Sequence, residues 1–380
     1  MMKRYYFDHA ATTPLDRRVL EAMMPYLTEC YANPSSSHAM GREACRAVDE
    51  ARDGIARLLG RKPKEVYFTS GGTEADNWAL KGAALANRER GRHILISAFE
   101  HPAVFESASF LQKQGYEVEL IPVRADGIVD LTALSSLLRE DTCLVAVMSA
   151  NNEVGTIQPL AEIATLVHEK GALFFTDAVQ AMGELPAFDG ADLLSFSSHK
   201  LYGPKGVGAL VVGGGVKLER LHHGGMQERS LRGGTTPTAQ IVGFSKAFSL
   251  ACAEREDRTK RVRSLRDRFL KGILSLPGTA LNGDGEKRLA SNANIFFEGR
   301  NGQALLNKFD LAGICASAGS ACTSGAVHPS HTLLAMGKEK EASSSIRFSF
   351  GKDNTETEID EVLSIIETLL SPVRTKNISS

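Results

Sequence analysis

One lysine in the stretch "LLSFSSHKLYGPKGVGAL", Leu193 to Leu210, stands where an apolar run ends, between a histidine and a Gly-Pro-Lys-Gly turn. An amine delivered there is either an ordinary surface cation or a nucleophile held ready for carbonyl chemistry. Other chemistry-bearing residues also follow apolar runs. "EVYFT" leads into "SGGTEADN", where Gly72 and Thr73 open a helical pattern; free backbone N–H groups at such a helix start suit an anion, and a plain capped helix start fits equally. "HILIS" leads to His101, which also reads as a helix cap, and "CLVAVMS" to the amides Asn151 and Asn152, which also read as turn residues. "ALFFT" leads to Asp177 and Gln180 in "DAVQ"; a carboxylate ending an apolar strand needs a partner, and helix capping would give it one. Taken together these residues gather a lysine, an aspartate, a histidine, an amide pair and an anion cradle. Pyridoxal phosphate calls for that set: an amine for its aldehyde, a carboxylate for its ring nitrogen, a planar group on its ring and an anion site for its phosphate.

The elements that carry them alternate. Short apolar runs at 65–69, 93–97, 117–121, 143–149, 172–176, 192–197 and 207–212 are separated by helical patterns at Thr73–Arg90, Pro102–Gln114 and Leu160–Lys170, among others. The alternation predicts an α/β fold, a mostly parallel seven-stranded sheet between helical layers, whose ligands bind beyond the carboxyl ends of the strands. The last two runs are joined by nine residues, too few for a helical crossover, which predicts one antiparallel strand. From Pro237 to Leu276 the pattern reads as one long helix leaving the sheet. Strand-like runs at 292–297 and 344–350 and a final helix near Thr355–Leu370 then predict a smaller α+β unit. The expected division is a large domain at 15–253 and a small one made of 1–14 with 254–380.

Composition narrows the partners. With 44 basic and 45 acidic residues the formal charge is −1, which gives no electrostatic footprint for nucleic acid or an anionic membrane. No apolar run reaches the roughly 18 residues of a membrane helix, and "MMKRYYFDHAATTP" has no apolar core of the signal-peptide kind. A reducing cytoplasm is the expected setting. The cysteines Cys30, Cys45, Cys143, Cys252, Cys315 and Cys322 form no CxxC pair and no cluster at zinc spacing, so neither a disulfide framework nor a structural metal is expected. Cys322 lies in "ICASAGSACTSGAVHPS", a segment so poor in apolar bulk that it is expected to be mobile. Arg347 lies within the strand-like "SSIRFSF"; facing inward it needs an anion, and a guanidinium fork matches an amino-acid carboxylate. A solvent-facing strand arginine is the other reading. Asn33 in "ANPSSSH" reads equally as an assistant to Arg347 or as a turn residue.

Ten blocks in order, "DHAATTP", "NPSSSH", "FTSGGTEADN", "EHPAV", "NNEVGTIQP", "DAVQ", "SFSSHKLYGPKG", "RGGTTP", "SAGSACTSG" and "SSIRFSFG", resemble those of the cysteine desulfurases, a class V branch of the fold-type I, aspartate-aminotransferase-like pyridoxal-phosphate enzymes. The "SACTS" setting resembles the subgroup with a long, mobile cysteine loop. The resemblance implies Lys200 as the Schiff-base lysine, Asp177 on the pyridinium nitrogen and His101 over the ring and relaying a proton. It implies Gly72, Thr73, Ser197 and His199 at the phosphate, and Asn152 and Gln180 near the ring hydroxyl. Arg347 and Asn152 would hold the substrate. A homodimer is implied, in which Thr235 of "RGGTTP" reaches the neighbour's phosphate. Cys322 would take sulfur from L-cysteine as a persulfide, releasing L-alanine, and pass it to an acceptor protein; it could also ligate an iron–sulfur cluster transiently. Selenocysteine lyase or another class V aminotransferase-type activity is the alternative. Ser198 replaces a glycine common in the family. The chain stops soon after its last helical pattern, which leaves iron–sulfur assembly, nitrogenase maturation and tRNA thiolation all open as destinations of the sulfur.

Overall fold

The computed structural model describes residues 3–318 and 329–371. After the short strand β1 (Tyr5–Tyr6) and helices α1 (Arg17–Thr28) and α2 (Ala39–Leu58), the central sheet is built from β2 (Val66–Thr69), β3 (His93–Ser97), β4 (Glu117–Ile121), β5 (Thr142–Ala146), β6 (Leu173–Asp177), β7 (Leu193–Ser197) and β8 (Gly208–Val212). Its order is β2-β8-β7-β6-β5-β3-β4, with β8 antiparallel to both neighbours and the remaining strands running one way. The expectation of seven strands with one reversed is met, for the reason the nine-residue link gave: it can turn the chain back but cannot carry it over the sheet.

The inner strands are largely apolar on both faces because both are covered, while β4 at the edge is only partly buried. One face packs Ile94, Ile96, Leu144 and Phe175 against α3 (Gly72–Asn77), α4 (Ala83–Ala86) and α5 (Pro102–Lys113), with Trp78, Val104 and Leu111 filling the layer. The predicted helix at Thr73–Arg90 is thus two α-helical pieces with a π-helical turn, Trp78–Gly82, between them. The other face packs Phe196 and Leu194 against Val19 of α1, Ile55 of α2 and Phe244 and Phe248 of α8 (Thr238–Ala253). Farther along that face Leu95, Val145 and Phe174 meet α6 (Leu131–Leu137) and α7 (Leu160–Glu169).

The single long helix expected over Pro237–Leu276 is two helices, α8 and α9 (Arg255–Ile273), broken at Glu254. No proline or glycine marks the break. The Glu254 carboxylate pairs instead with Arg18 of α1, 236 residues away, a contact no local pattern reveals. Beyond it an antiparallel sheet orders β12 (Ser345–Ser349), β10 (Asn292–Phe297) and β9 (Thr279–Asn282). β9 has no counterpart in the apolar pattern, because only Asn282 of its four residues is buried. A third core gathers Phe269 of α9, Ile295, Phe309 of α10 (Gly302–Leu311), Phe348 and Ile359 and Val362 of α12 (Glu356–Leu370), and also Tyr5 and Phe7 from the opposite end of the chain. β1 pairs in parallel with β11 (Ile314–Cys315), and α11 (His331–Ala335) lies between β11 and β12 in sequence. No described helix is long and apolar enough to cross a membrane.

Candidate active site

Because β2, β3, β5, β6 and β7 run the same way, the residues after each of them meet at one sheet edge, as expected for an open α/β sheet. β6 ends at Asp177, which pairs in register with Ser195 of β7, two residues before Ser197. Ser198, His199 and Lys200 then form a single 3-10 turn, in which the serine standing for the family's glycine is fully buried.

The lysine turn is strapped by the N-terminal segment. The Lys200 ammonium donates to the Ala10 carbonyl and, at 2.8 Å, to the Ala11 carbonyl. Gln180 Nε2 donates to the same Ala10 oxygen at 2.9 Å. Thr13 Oγ1 donates to the His199 carbonyl (2.8 Å) and accepts from the Tyr202 N–H (2.8 Å), while Thr12 Oγ1 lies 3.1 Å from His199 Nδ1. The sequence reading gave "DHAATTP" no role, because a backbone carbonyl that receives a distant lysine has no signature in its own residues. Burial and the nearby Lys200 and Lys205 push the His199 pKa down to about 4, so its ring is neutral at pH 7.

Asp177 Oδ1 accepts the Val179 N–H at 2.8 Å. Burial holds its pKa above the ordinary carboxylate range, against the opposing pull of His101, the Val179 N–H and Lys200. Two further carboxyls surround it that the sequence reading passed over: Asp76, 1% exposed and accepting from Ser195 Oγ, and Glu100, also 1% exposed. Glu100 Oε1 accepts from Ser97 Oγ and from the Met148 N–H (2.7 Å), and burial with the nearby Asp177 raises its pKa to about 8. His101 caps α5, its Nδ1 accepting the Ala103 N–H at 3.1 Å. Burial, with Lys200 and His331, lowers its pKa against the pull of Asp177. The cap reading of His101 holds, and the cap places the ring near Asp177 and Lys200.

Gly71, with φ 154° and ψ −174°, turns the chain into α3 in a conformation open essentially to glycine alone. A Cβ on Gly72 would lie 2.8 Å from Val179 Cγ2, and one on Gly71 would lie 3.9 Å from Ser197 Oγ. Ser197 Oγ itself is buried with no hydrogen-bond partner among the described residues. An orphaned hydroxyl beside two glycines at a strand-to-helix turn fits a phosphate, and Lys200 and Asp177 fit the aldehyde and ring nitrogen of pyridoxal phosphate. Thr73 stands exposed in the first turn of α3.

Arg347 faces inward, its side chain 4% exposed, so the solvent-facing reading fails. Its anionic partner within the chain is Asp8 (Nη2 to Oδ1, 2.9 Å), and Nη1 donates to the Asn152 carbonyl at 2.9 Å. The sequence reading named no protein carboxylate for it, since Asp8 is 339 residues away. Asn151 is a turn residue, accepting from the N–H groups of Glu153 and Val154 and donating to the Phe99 carbonyl. Asn33 is exposed and caps a turn through the Ser35 N–H, 2.9 Å. Thr235 is exposed in the loop before α8, and no hydrogen bond joins it to the groups above. Cys322 lies outside the described residues. Among the described residues no His/Cys/Asp/Glu group could hold a metal ion.

Residues 5–362 match the model of the class-V aminotransferases. A cysteine desulfurase IscS of Methanosarcina thermophila is 46% identical over 376 residues, 98% of this chain and 93% of that one. Another, from Archaeoglobus fulgidus, is 44% identical over 97% of each chain. A solved NifS-like protein superposes with a TM-score of 0.91 at 40% identity, covering 97% of this chain and 99% of the other. The structure of SspA in complex with cysteine superposes at 0.81 and 34% identity, covering 93% and 100%. With its lysine, aspartate and glycine cradle at one sheet edge and relatives alike over nearly its whole length, the chain belongs to the class-V aminotransferase family and, within it, to the cysteine desulfurases.

Proposed function

We propose that this protein is a pyridoxal-phosphate-dependent cysteine desulfurase that converts L-cysteine to L-alanine and holds the sulfur as a persulfide on Cys322 for an acceptor protein. The observation that carries the reading is the meeting of Lys200, Asp177 and the orphaned Ser197 hydroxyl beside Gly71 and Gly72. When bound, pyridoxal phosphate supplies an aldehyde carbon for amines and a ring that spreads the charge of a deprotonated Cα. Asp177 holds the proton of the ring nitrogen. Gly72, Thr73, Ser197, neutral His199 and Thr235 of the partner subunit would hold the phosphate, and His101, Gln180 and Asn152 would hold the ring. Arg347, set by Asp8 and the Asn152 carbonyl, receives the substrate carboxylate.

Lys200 Nζ takes the Cα proton of the substrate. Cys322, as thiolate, attacks the substrate sulfur: an S–S bond forms, the Cβ–S bond breaks, and its electron pair stays on the three-carbon skeleton. His101 passes the proton taken up at Cβ, and Lys200 returns its proton to Cα, which completes alanine. We also place the protein in the cytoplasm as a homodimer, and divide the chain at 15–253 and 1–14 plus 254–380; Tyr5 and Phe7 in the core of the C-terminal sheet support that division.

Replacing Cys322 with serine is expected to abolish persulfide and sulfide output while the yellow cofactor absorbance stays. Full desulfuration by the Cys322→Ser protein would refute the thiol's role.

A further inference from the structure

Glu228, Arg229 and Ser230 have φ of 44°, 55° and 66°, three successive non-glycine residues in the left-handed region. Cβ crowds the following carbonyl there, so such residues visit the region singly. A run of three persists only where its surroundings over-determine it. Here they do. The Glu228 carboxylate accepts both arms of the Arg52 guanidinium (2.7 and 2.8 Å) and the Phe68 N–H (2.9 Å), with the two side chains 5% and 11% exposed. Arg52 Nη1 also donates to the Val66 carbonyl at 2.7 Å. Arg229 donates to that same carbonyl at 2.9 Å, and its guanidinium lies 3.9 Å over the Tyr67 ring. The left-handed turn is therefore clamped to β2 at Val66, Tyr67 and Phe68.

A second tie follows. Arg232 donates to both oxygens of Glu74 (2.9 and 3.1 Å), and Glu74 Oε2 accepts the Ser70 N–H at 2.7 Å. Ser70 is the first residue of the turn that carries Gly71, Gly72 and Thr73, and Thr235 comes just after Arg232 in "RGGTTP". One loop thus grips the strand that feeds the anion cradle, grips the cradle itself, and presents Thr235 outward.

We propose that Glu228 is a positioning residue: by holding the left-handed turn on Arg52 and Phe68, it sets the anion cradle of its own subunit and the pose of Thr235 together. The part concerning Thr235 rests on the reading of the protein as a dimeric pyridoxal-phosphate enzyme. Loss of the clamp then weakens cofactor binding from two sides, through the cradle of the altered chain and through the threonine it lends.

The test uses the full chain with Glu228→Gln, and Ser230→Gly as the control, because glycine adopts the same φ without strain. In the cofactor-free protein, amide exchange is expected to rise roughly tenfold or more over 66–74 and 231–236 together, with β3 to β6 unchanged, because only the two tied segments lose their brace. Pyridoxal-phosphate affinity, read by fluorescence titration, is expected to fall roughly tenfold or more. Ser230→Gly should leave both readings at the wild-type level. Exchange rising only over 227–230, or throughout the sheet, overturns the brace, and coupled exchange with unchanged affinity overturns its link to the cofactor. A wild-type protein that takes up no pyridoxal phosphate defeats the functional reading, while the exchange result still decides the brace. If Glu228→Gln does not fold, Arg52→Lys, which keeps the cation but loses the fork, is read in the same way.

Discussion

Glu100 precedes the histidine proposed to lie over the ring, and its Oε2 is buried with no hydrogen-bond partner among the described residues. Its folded pKa of about 8 lies above the ordinary 4.5, so its contribution to stability is fully present below pH 4.5 and is lost as pH rises toward 8. Glu100→Gln, which cannot ionise, should therefore gain on the wild type across that window, by on the order of 5 kcal/mol by pH 9. Thermal melts of the cofactor-free proteins at pH 5 and pH 9 check this; an equal or lower melting temperature for the variant at pH 9 would contradict it. At this scale the sequence made placement readable where a residue follows an apolar run, as Lys200, Asp177 and His101 do at the sheet edge. It was silent where a partner comes from far along the chain. Asp8 on Arg347 and Ser195 on Asp76 are contacts across 339 and 119 residues, and no spacing encodes them.

The elements were legible to the extent that their periodicity is local. The runs of β3 and β4 match their strands from end to end: β3 is buried throughout, as a central parallel strand should be, while β4 at the sheet edge alternates Glu117 and Glu119 with apolar residues. The break between α8 and α9 escaped because it is held by an ion pair to α1, and the π-helical turn after α3 because its apolar spacing continues the helical pattern, with Gly82 the one weak helix former in it. The strand-to-helix turn at Gly71 was visible as "SGGT", but its function depends on a backbone angle. Gly71→Ala places a Cβ in a region worth about 1–3 kcal/mol of strain, which comes from the backbone angle, since that Cβ would meet Ser197 Oγ only at an ordinary contact distance of 3.9 Å. The variant should lose stability of that order and bind pyridoxal phosphate more weakly, as calorimetry and cofactor titration would read. Unchanged affinity would mean that the turn does not shape the anion site.

Across the whole molecule, the site is assembled from both ends of the chain. The N-terminal segment supplies Ala10, Ala11, Thr12 and Thr13 around the lysine turn, while Phe7 packs into the core of the C-terminal sheet. The lysine is thereby fastened to elements that the order of the sequence keeps far apart. The resemblance to the family made the global fold legible, because ten blocks in order constrain topology far more than any single motif does. How the segments are strapped together had to be read from the structure. The central claim is that Lys200 is the amine that meets the cofactor. Borohydride reduction of the purified protein with pyridoxal phosphate, followed by peptide mass spectrometry, tests it directly. The account predicts a phosphopyridoxyl group on the peptide containing Lys200, lost in Lys200→Ala. A label on another lysine, or none on a protein that binds the cofactor, would contradict it.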